Sequence, residues 1–407
     1  MAFHAAEQPL DIQENQEDKP MTSLSARANP SRTGISDRQH AELLADLRML
    51  IEQARKRVAQ AIDGGMVLLY WNVGTRIRRE VLGQRRATYG GQIVATLSRQ
   101  LALEYGRGFE EKNLRRMILF SEQFPDDKIV ATLSRQLSWS HFVELLPLKE
   151  ELRRQFYAEL CRIERWPVRT LKAKIQDMLY ERTAISRRPA LLAKAELEGL
   201  RNADRMTPDL VFRDPYRLDF LGLPSAFSEK DLESALLREL ESFLLELGTD
   251  FAFLSRQKRL TIDGRDYYID LLFFHRRLRR LVAIELKIGE FQAADKGQME
   301  LYLRWLAKYE QAPSEDAPLG LILCAGKSSE HVELLQLEQS GIRVAEYMLE
   351  VPPPDVLRAK LQQMIQRAHE RVAVVGPDTV EETILPLQKR LTKAQTTSTA
   401  KPTKRTR

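Results

Sequence analysis

At 407 residues the chain exceeds what one hydrophobic core of usual size organises, so two or three domains are expected, and an apolar fraction of 43% excludes a wholly disordered protein. No apolar run approaches the ~18 residues of a membrane span, and Met1–Glu7 carries no export signal, so a cytoplasmic protein without membrane contact is expected. Cys161 and Cys324 stand in unrelated contexts, which argues against a disulfide framework or thiolate metal cluster, while a net charge of +6 admits a nucleic-acid partner.

Residues 1–37 are polar, lack periodic apolar content, and read as disordered. Residues 38–185 read as a helical N-terminal domain. Leu43, Leu44, Leu47, Leu50 and Ile51 begin a helical pattern that Gly64-Gly65 is expected to interrupt. A second helix is predicted over Met66–Val81, then a basic turn over Gln84–Gly90 and a third helix over Gly91–Tyr105, stopped by Gly106 and Gly108. A fourth begins near Phe109. Helix, glycine turn and Arg-bearing helix in succession resemble a helix-turn-helix, whose second helix would offer Lys112, Arg115 and Arg116 to a duplex; a helical bundle with a solvated basic face is the alternative. Roughly 25 Lys/Arg against about 18 Asp/Glu between 41 and 185 place the basic surplus in this half, and Lys389 to Arg407 form a second basic cluster.

The octapeptide Val94–Leu101 recurs at Val130–Leu137, without the third copy a solenoid would need. His141 lies in an aromatic-polar cluster, where a satisfied structural imidazole is the first reading and catalysis the second. Helices are predicted over Glu150–Ile163 and Val168–Arg182. Residues 186–225 read as a connector in which Asp209, Asp214 and Asp219 are spaced as surface or capping residues.

Residues 226–352 carry the chemistry. One helix is predicted from an N-cap at Ser228 to Leu247, with Leu232, Leu236, Leu240, Phe243 and Leu247 as its stripe and Glu233 beside it. Asp263-Gly264 is a hairpin signal between extended runs, and Tyr267–Phe274 and Leu281–Leu286 should complete an antiparallel meander. Side chains two apart share a strand face, so Glu285 and Lys287 project together while Asp270 on the neighbouring strand comes opposite them. Buried charges are costly unless paired or metal-bound. Two carboxylates and the Leu286 carbonyl form an oxygen-rich site suited to Mg²⁺ or Mn²⁺, and a lysine beside it can orient or deprotonate water. A helix over Ala293–Tyr309, a strand over Leu319–Cys324, a helix over Ser328–Gln339 and a strand over Ile342–Met348 follow, giving an α/β fold. Residues 353–407 read as a C-terminal helix and a basic disordered tail.

Ile269-Asp270 followed by Glu285-Leu286-Lys287 matches the PD-(D/E)xK nuclease motif. With Phe243–Gly248, Gly297-Gln298-Met299, Val344–Tyr347, and Tyr70–Gly74, Gly108–Leu114 and Leu137–His141 ahead of them, the chain resembles the YhcG-like group of bacterial nucleases. The resemblance covers roughly residues 40 to 350. Ile269 stands where the motif's name has Pro, which removes no ligand. The resemblance implies a PD-(D/E)xK core, a mixed sheet flanked by helices, behind an all-α domain. By position, Asp270 and Glu285 would bind the metal, Lys287 would serve the water, Glu233 would help hold the ion or a second one, and Gln298 would support Lys287 or the phosphate. The implied activity is a Mg²⁺-dependent endodeoxyribonuclease serving defence or repair, with DNA as partner, RNA open, and a homodimer for double-strand cutting. The alternative is a non-catalytic nucleic-acid-binding or complex-assembly protein that keeps the nuclease fold.

Overall fold

A computed structural model describes residues 37–82 and 87–375. The expected disordered segment up to Ser36, Arg85 and Arg86 of the basic turn, and the basic tail from Lys389 lie outside them. Contacts divide the chain between Arg57 and Val58. Of the first unit, the described part opens helix α1 (Asp37–Leu82), where Leu44, Leu47, Leu50 and Ile51 are all exposed.

In the second unit α1 runs through Gly64-Gly65 without the expected break. Glycine adopts helical backbone angles at a cost of about 1 kcal/mol relative to alanine, and tertiary packing overrides that cost here. A Cβ on Gly64 would lie 3.0 Å from the Ser134 carbonyl oxygen, and one on Gly74 only 1.9 Å from that of Met117. Bare backbone is what lets α1 cross its neighbours. Helix α2 (Ala87–Tyr105) begins before the expected Gly91, so Ala87–Gly90 is helical rather than turn. A single 3-10 turn at Arg107–Phe109 leads to α3 (Glu111–Gln123).

The repeated octapeptide takes two structures. Its first copy lies wholly in α2, whereas the second starts in α4 (Asp127–Leu133) and leaves it as a turn that buries Leu133 and Leu137. In α5 (Trp139–Leu145) His141 closes a capping box. Its Nδ1 accepts the Ser138 backbone N–H at 3.0 Å, so Nε2 carries the proton and donates to the Trp166 carbonyl at 3.0 Å. The ring is a structural cap. After α6 (Glu151–Glu164) the expected helix over Val168–Arg182 splits into α7 (Val168–Gln176) and α8 (Leu179–Arg182). Met178, at φ 52°, makes the break and is buried with Leu357 and Leu361 of the C-terminal helix.

The connector holds α9 (Ala190–Ala203), α10 (Pro208–Val211) and a two-residue strand, β1 (Tyr216–Arg217). Asp209 and Asp214 are buried, against expectation, because their cations arrive from far along the chain. Asp209 pairs with Arg188 and Arg343, and Asp214 with Arg187 and Lys327. Burial pushes the Asp214 carboxyl up, but those two cations hold it down at about 2. Asp219 is exposed, as expected.

Ser228 caps α11 (Glu229–Arg238) as expected, but the helix yields at Glu239 and resumes as α12 (Leu240–Leu247). No breaker residue stands there. Glu246 of α12 is fixed by Arg182, Arg213 and the Arg217 backbone N–H, so tertiary contacts set the direction of α12. The sheet follows: β2 (Phe251–Ile262), β3 (Arg265–His275), β4 (Arg280–Leu286), α13 (Ala293–Tyr309), β5 (Leu319–Cys324), α14 (Ser329–Leu334), β6 (Ile342–Met348), and finally α15 (Pro354–Val375).

Its order is β1-β6-β5-β4-β3-β2, with β2–β4 an antiparallel meander and β4, β5, β6 and β1 parallel. This is the expected mixed sheet flanked by helices behind a helical N-terminal region. One face packs Leu271, Phe273, Ile284 and Leu286 into a hydrophobic core that also contains Leu236 and Phe243 and reaches Phe120, Phe142 and Phe156. The other packs Leu272, Ala283 and Ile322 against Met299, Tyr302 and Leu306 of α13.

Candidate active site

The ladder between β3 and β4 runs from His275↔Arg280 to Leu271↔Ile284 and stops one step short of Asp270 and Glu285. Strands that part leave backbone groups without their ladder partners, and buried ones must be satisfied otherwise. Asp270 does this. Its Oδ2 accepts the Leu286 backbone N–H at 2.9 Å, while its own N–H donates to Glu285 Oε1 at 3.3 Å. The two carboxylates are therefore fixed in the fork by the backbone that carries them.

Glu285 is buried at 4% exposure. Burial, and then the Asp270 charge, push its carboxyl up to about 8; Asp270 is also raised, chiefly by burial. Lys287 Nζ lies 3.7 Å from Glu285 Oε2 and moderates both shifts without cancelling them. The Tyr347 hydroxyl donates to the Lys287 carbonyl at 3.2 Å, which steadies the chain where β4 ends. From α13, Gln298 Nε2 approaches Glu285 Oε2 at 3.5 Å and meets the Tyr302 hydroxyl at 2.6 Å.

Glu233 reaches the group through a bridge. Its Oε2 accepts from Gln257 Nε2 at 2.8 Å, and the same nitrogen donates to Asp270 Oδ1 at 3.0 Å. Arg256 stands 4.0 Å from Glu233 Oε1. Glu229, one turn earlier on α11, accepts the Ile288 backbone N–H at 3.4 Å, and its charge adds to the upward shifts of Asp270 and Glu285. Sequence reasoning missed Gln257, Glu229 and Tyr302. Two carried a signal: Glu229 precedes Glu233 by four residues and Tyr302 follows Gln298 by four, the spacing of one helix face.

The structure thus brings Asp270, Glu285, Lys287 and Gln298 together and adds Glu233 through Gln257. The other expected set, on α3, has Lys112 and Arg115 exposed and Arg116 half-buried, with Arg115 paired to Glu111 at 2.6 Å. Among the described residues, no group of three or more His, Cys, Asp and Glu side chains is arranged to hold a metal ion. Half-buried Asp270 and buried Glu285, adjacent carboxylates whose protons are held too tightly, nevertheless fit a divalent cation, which would relieve their repulsion and complete its shell with water and backbone oxygen.

A family model described as YhcG PDDEXK nuclease domain matches residues 209–362, and one described as DUF1016 N-terminal domain matches residues 46–182. PDDEXK nucleases generally use divalent metals. Among curated proteins, "Putative nuclease YhcG" of Escherichia coli (strain K12) is 36% identical over 357 residues, covering 79% of this chain and 94% of that protein. Among solved structures, a repair endonuclease from Pyrococcus abyssi is 19% identical over 32% of this chain and 50% of its own, with a TM-score of 0.22. An EndoMS–dsDNA complex is 19% identical over 32% of this chain and 49% of its own, with a TM-score of 0.24. The chain spans about half the length of those solved structures. Identity to the Escherichia coli protein over most of both sequences, with both domain models matched in order, places this chain in the YhcG family of PDDEXK nucleases.

Proposed function

We propose that the chain hydrolyses phosphodiester bonds of DNA in a reaction dependent on Mg²⁺ or Mn²⁺. The observation that carries this reading is the pairing of half-buried Asp270 with buried Glu285, both with raised carboxyl pKa, with the Lys287 ammonium 3.7 Å from the second. Asp270 and Glu285 would hold the ion. A bound divalent ion supplies charge stabilisation to the phosphate and an activated water.

The chain's own groups do the rest. Lys287, as the ammonium, orients the attacking water, whose oxygen bonds to phosphorus as the phosphorus–oxygen bond to the leaving sugar breaks; the water's proton passes to solvent and the leaving oxygen takes one up from solvent. Gln298 keeps the Glu285 carboxylate turned toward that point from α13. Glu233 adds negative charge at the edge of the site through Gln257. The helical region spanning 38–185 contributes phosphate contacts, with Lys112, Arg115 and Arg116 as candidates, because phosphate neutralisation dominates nucleic-acid affinity. Cutting both strands takes two such centres, which a homodimer supplies.

The test is cleavage of supercoiled plasmid and of duplex RNA by the full chain with Mg²⁺, with Mn²⁺, and with EDTA. Asp270→Asn and Lys287→Ala should each lower DNA cleavage by at least about a hundredfold. Undiminished cleavage in both variants, or in EDTA, would overturn the reading, and preferential cleavage of RNA would overturn the choice of substrate.

A further inference from the structure

Gln257 has no assigned part in the site, yet it is the group that joins its two halves. It lies on β2 between the pairs Arg256↔Leu271 and Lys258↔Ile269, directly across from Asp270. Its backbone sits at φ 45°. A left-handed residue that is not glycine is strained and persists only where its surroundings impose it.

The side chain explains the imposition. One amide nitrogen lies 2.8 Å from Glu233 Oε2 and 3.0 Å from Asp270 Oδ1, so each of its two protons serves a different carboxylate. The other Asp270 oxygen is already taken by the Leu286 N–H. With both oxygens engaged, the Asp270 carboxylate is fixed in rotation as well as in place. Glu233 comes from a helix on one face of the sheet, and Gln257 is its hydrogen-bonded link to the strand acids.

The chemical type matters as much as the reach. A lysine or arginine at 257 would also bridge two carboxylates, but its positive charge would satisfy them and compete with a cation. An amide donates two hydrogen bonds and brings no charge. It can align the acids while leaving their demand for a cation intact. Leucine has a similar volume and no donor, and asparagine has the donors on a chain one methylene shorter.

We infer that Gln257 is a positioning residue of the cleavage centre, setting the Asp270 carboxylate for the divalent ion and tying Glu233 to it through a single bridging amide. This rests on the metal-dependent reading above. Groups that orient metal-binding side chains from behind typically change metal affinity by about 10–100-fold when removed, and that is the effect expected here.

Mn²⁺ affinity of the full chain, measured by electron paramagnetic resonance, tests it without recourse to turnover. Gln257→Leu and Gln257→Asn should each weaken Mn²⁺ binding by about tenfold or more while retaining a cooperative melt. A double-mutant cycle with Glu233→Gln separates positioning from general loosening. If Gln257 acts through Glu233 and Asp270, Gln257→Leu should weaken binding less in the Glu233→Gln background than in the native one. Native Mn²⁺ affinity in both position-257 variants, or additive effects in the cycle, would overturn the inference while leaving the nuclease reading intact. Absence of Mn²⁺ binding by the unmodified protein would sink both. Should Gln257→Leu fail to fold, Gln257→Asn carries the same comparison.

Discussion

The backbone N–H of Leu286 donates to Asp270 Oδ2 at 2.9 Å, so the residue between Glu285 and Lys287 on one strand fixes the carboxylate of the next. This hydrogen bond forms where β3 and β4 part, and it makes the site a property of the sheet's backbone rather than of a loop.

Cation binding should stabilise the fold, because the raised carboxyls of Asp270 and Glu285 are a cost that a bound ion removes. At a Mn²⁺ concentration about a hundred times the dissociation constant, the linkage is about 2.7 kcal/mol. Differential scanning fluorimetry should show a rise in melting temperature that EDTA reverses and Asp270→Asn abolishes. An equal rise in Asp270→Asn would place the ion elsewhere.

His275 should make the protein sensitive to mild acid. It is buried, its Nδ1 accepts the Leu278 N–H at 3.1 Å, and burial pushes its pKa down from 6.5 to about 4. Between those values the unfolded chain binds a proton that the folded one refuses, so this contribution is present above pH 6.5 and lost as pH falls toward 4. The slope is at most about 1.4 kcal/mol per pH unit. Urea midpoints across that range should fall less steeply in His275→Gln than in the native chain; equal slopes would refute the assignment.

Gly74 and Gly65 sit in one helix and should respond oppositely to alanine. A Cβ at Gly74 would meet the Met117 backbone oxygen at 1.9 Å, whereas one at Gly65 meets nothing within 4 Å. Gly74→Ala should cost about 1–3 kcal/mol or more through overpacking. Gly65→Ala should gain up to about 1 kcal/mol from helix propensity. Chemical denaturation of the two variants decides it, and similar stabilities would contradict the packing described.

On α3, Lys112 should matter more to nucleic-acid binding than Arg115, whose charge is shared with Glu111 at 2.6 Å. Fluorescence anisotropy over a salt series should show Lys112→Ala weakening duplex binding and lowering the salt slope by about one. Arg115→Ala should do less. A salt slope unaltered in both variants would remove α3 from the binding surface.

Much of the nuclease core was legible before any coordinates, and particular residues show why. Asp270, Glu285 and Lys287 stand out because charges in apolar strands are rare and a strand's two-residue period assigns them a side. Gln257 hides, since a glutamine between Arg256 and Lys258 looks like the solvent side of an edge strand. Counting outward from the Asp263-Gly264 turn would have set it across from Asp270. Asp209 and Asp214 were misread for another reason: Arg343 and Lys327 lie more than a hundred residues downstream. Local spacing carries no information about such partners. Likewise the two-residue β1 is too short for periodicity, and Gly64-Gly65 can be told from a helix stop only by the Ser134 carbonyl packed against it.

The hydrophobic core beneath the sheet joins Phe273 and Leu286 to Phe142 and Phe156 of the helical region in one contiguous cluster. Regions that share a core cannot melt independently, so residues 58–375 should unfold in a single calorimetric step. Severing the helical region would strip the apolar floor from the strands that bear Asp270 and Glu285. Transplanting the nuclease strands without their helical partner would therefore deliver an aggregate, and chimaeras within this family should exchange the two regions together.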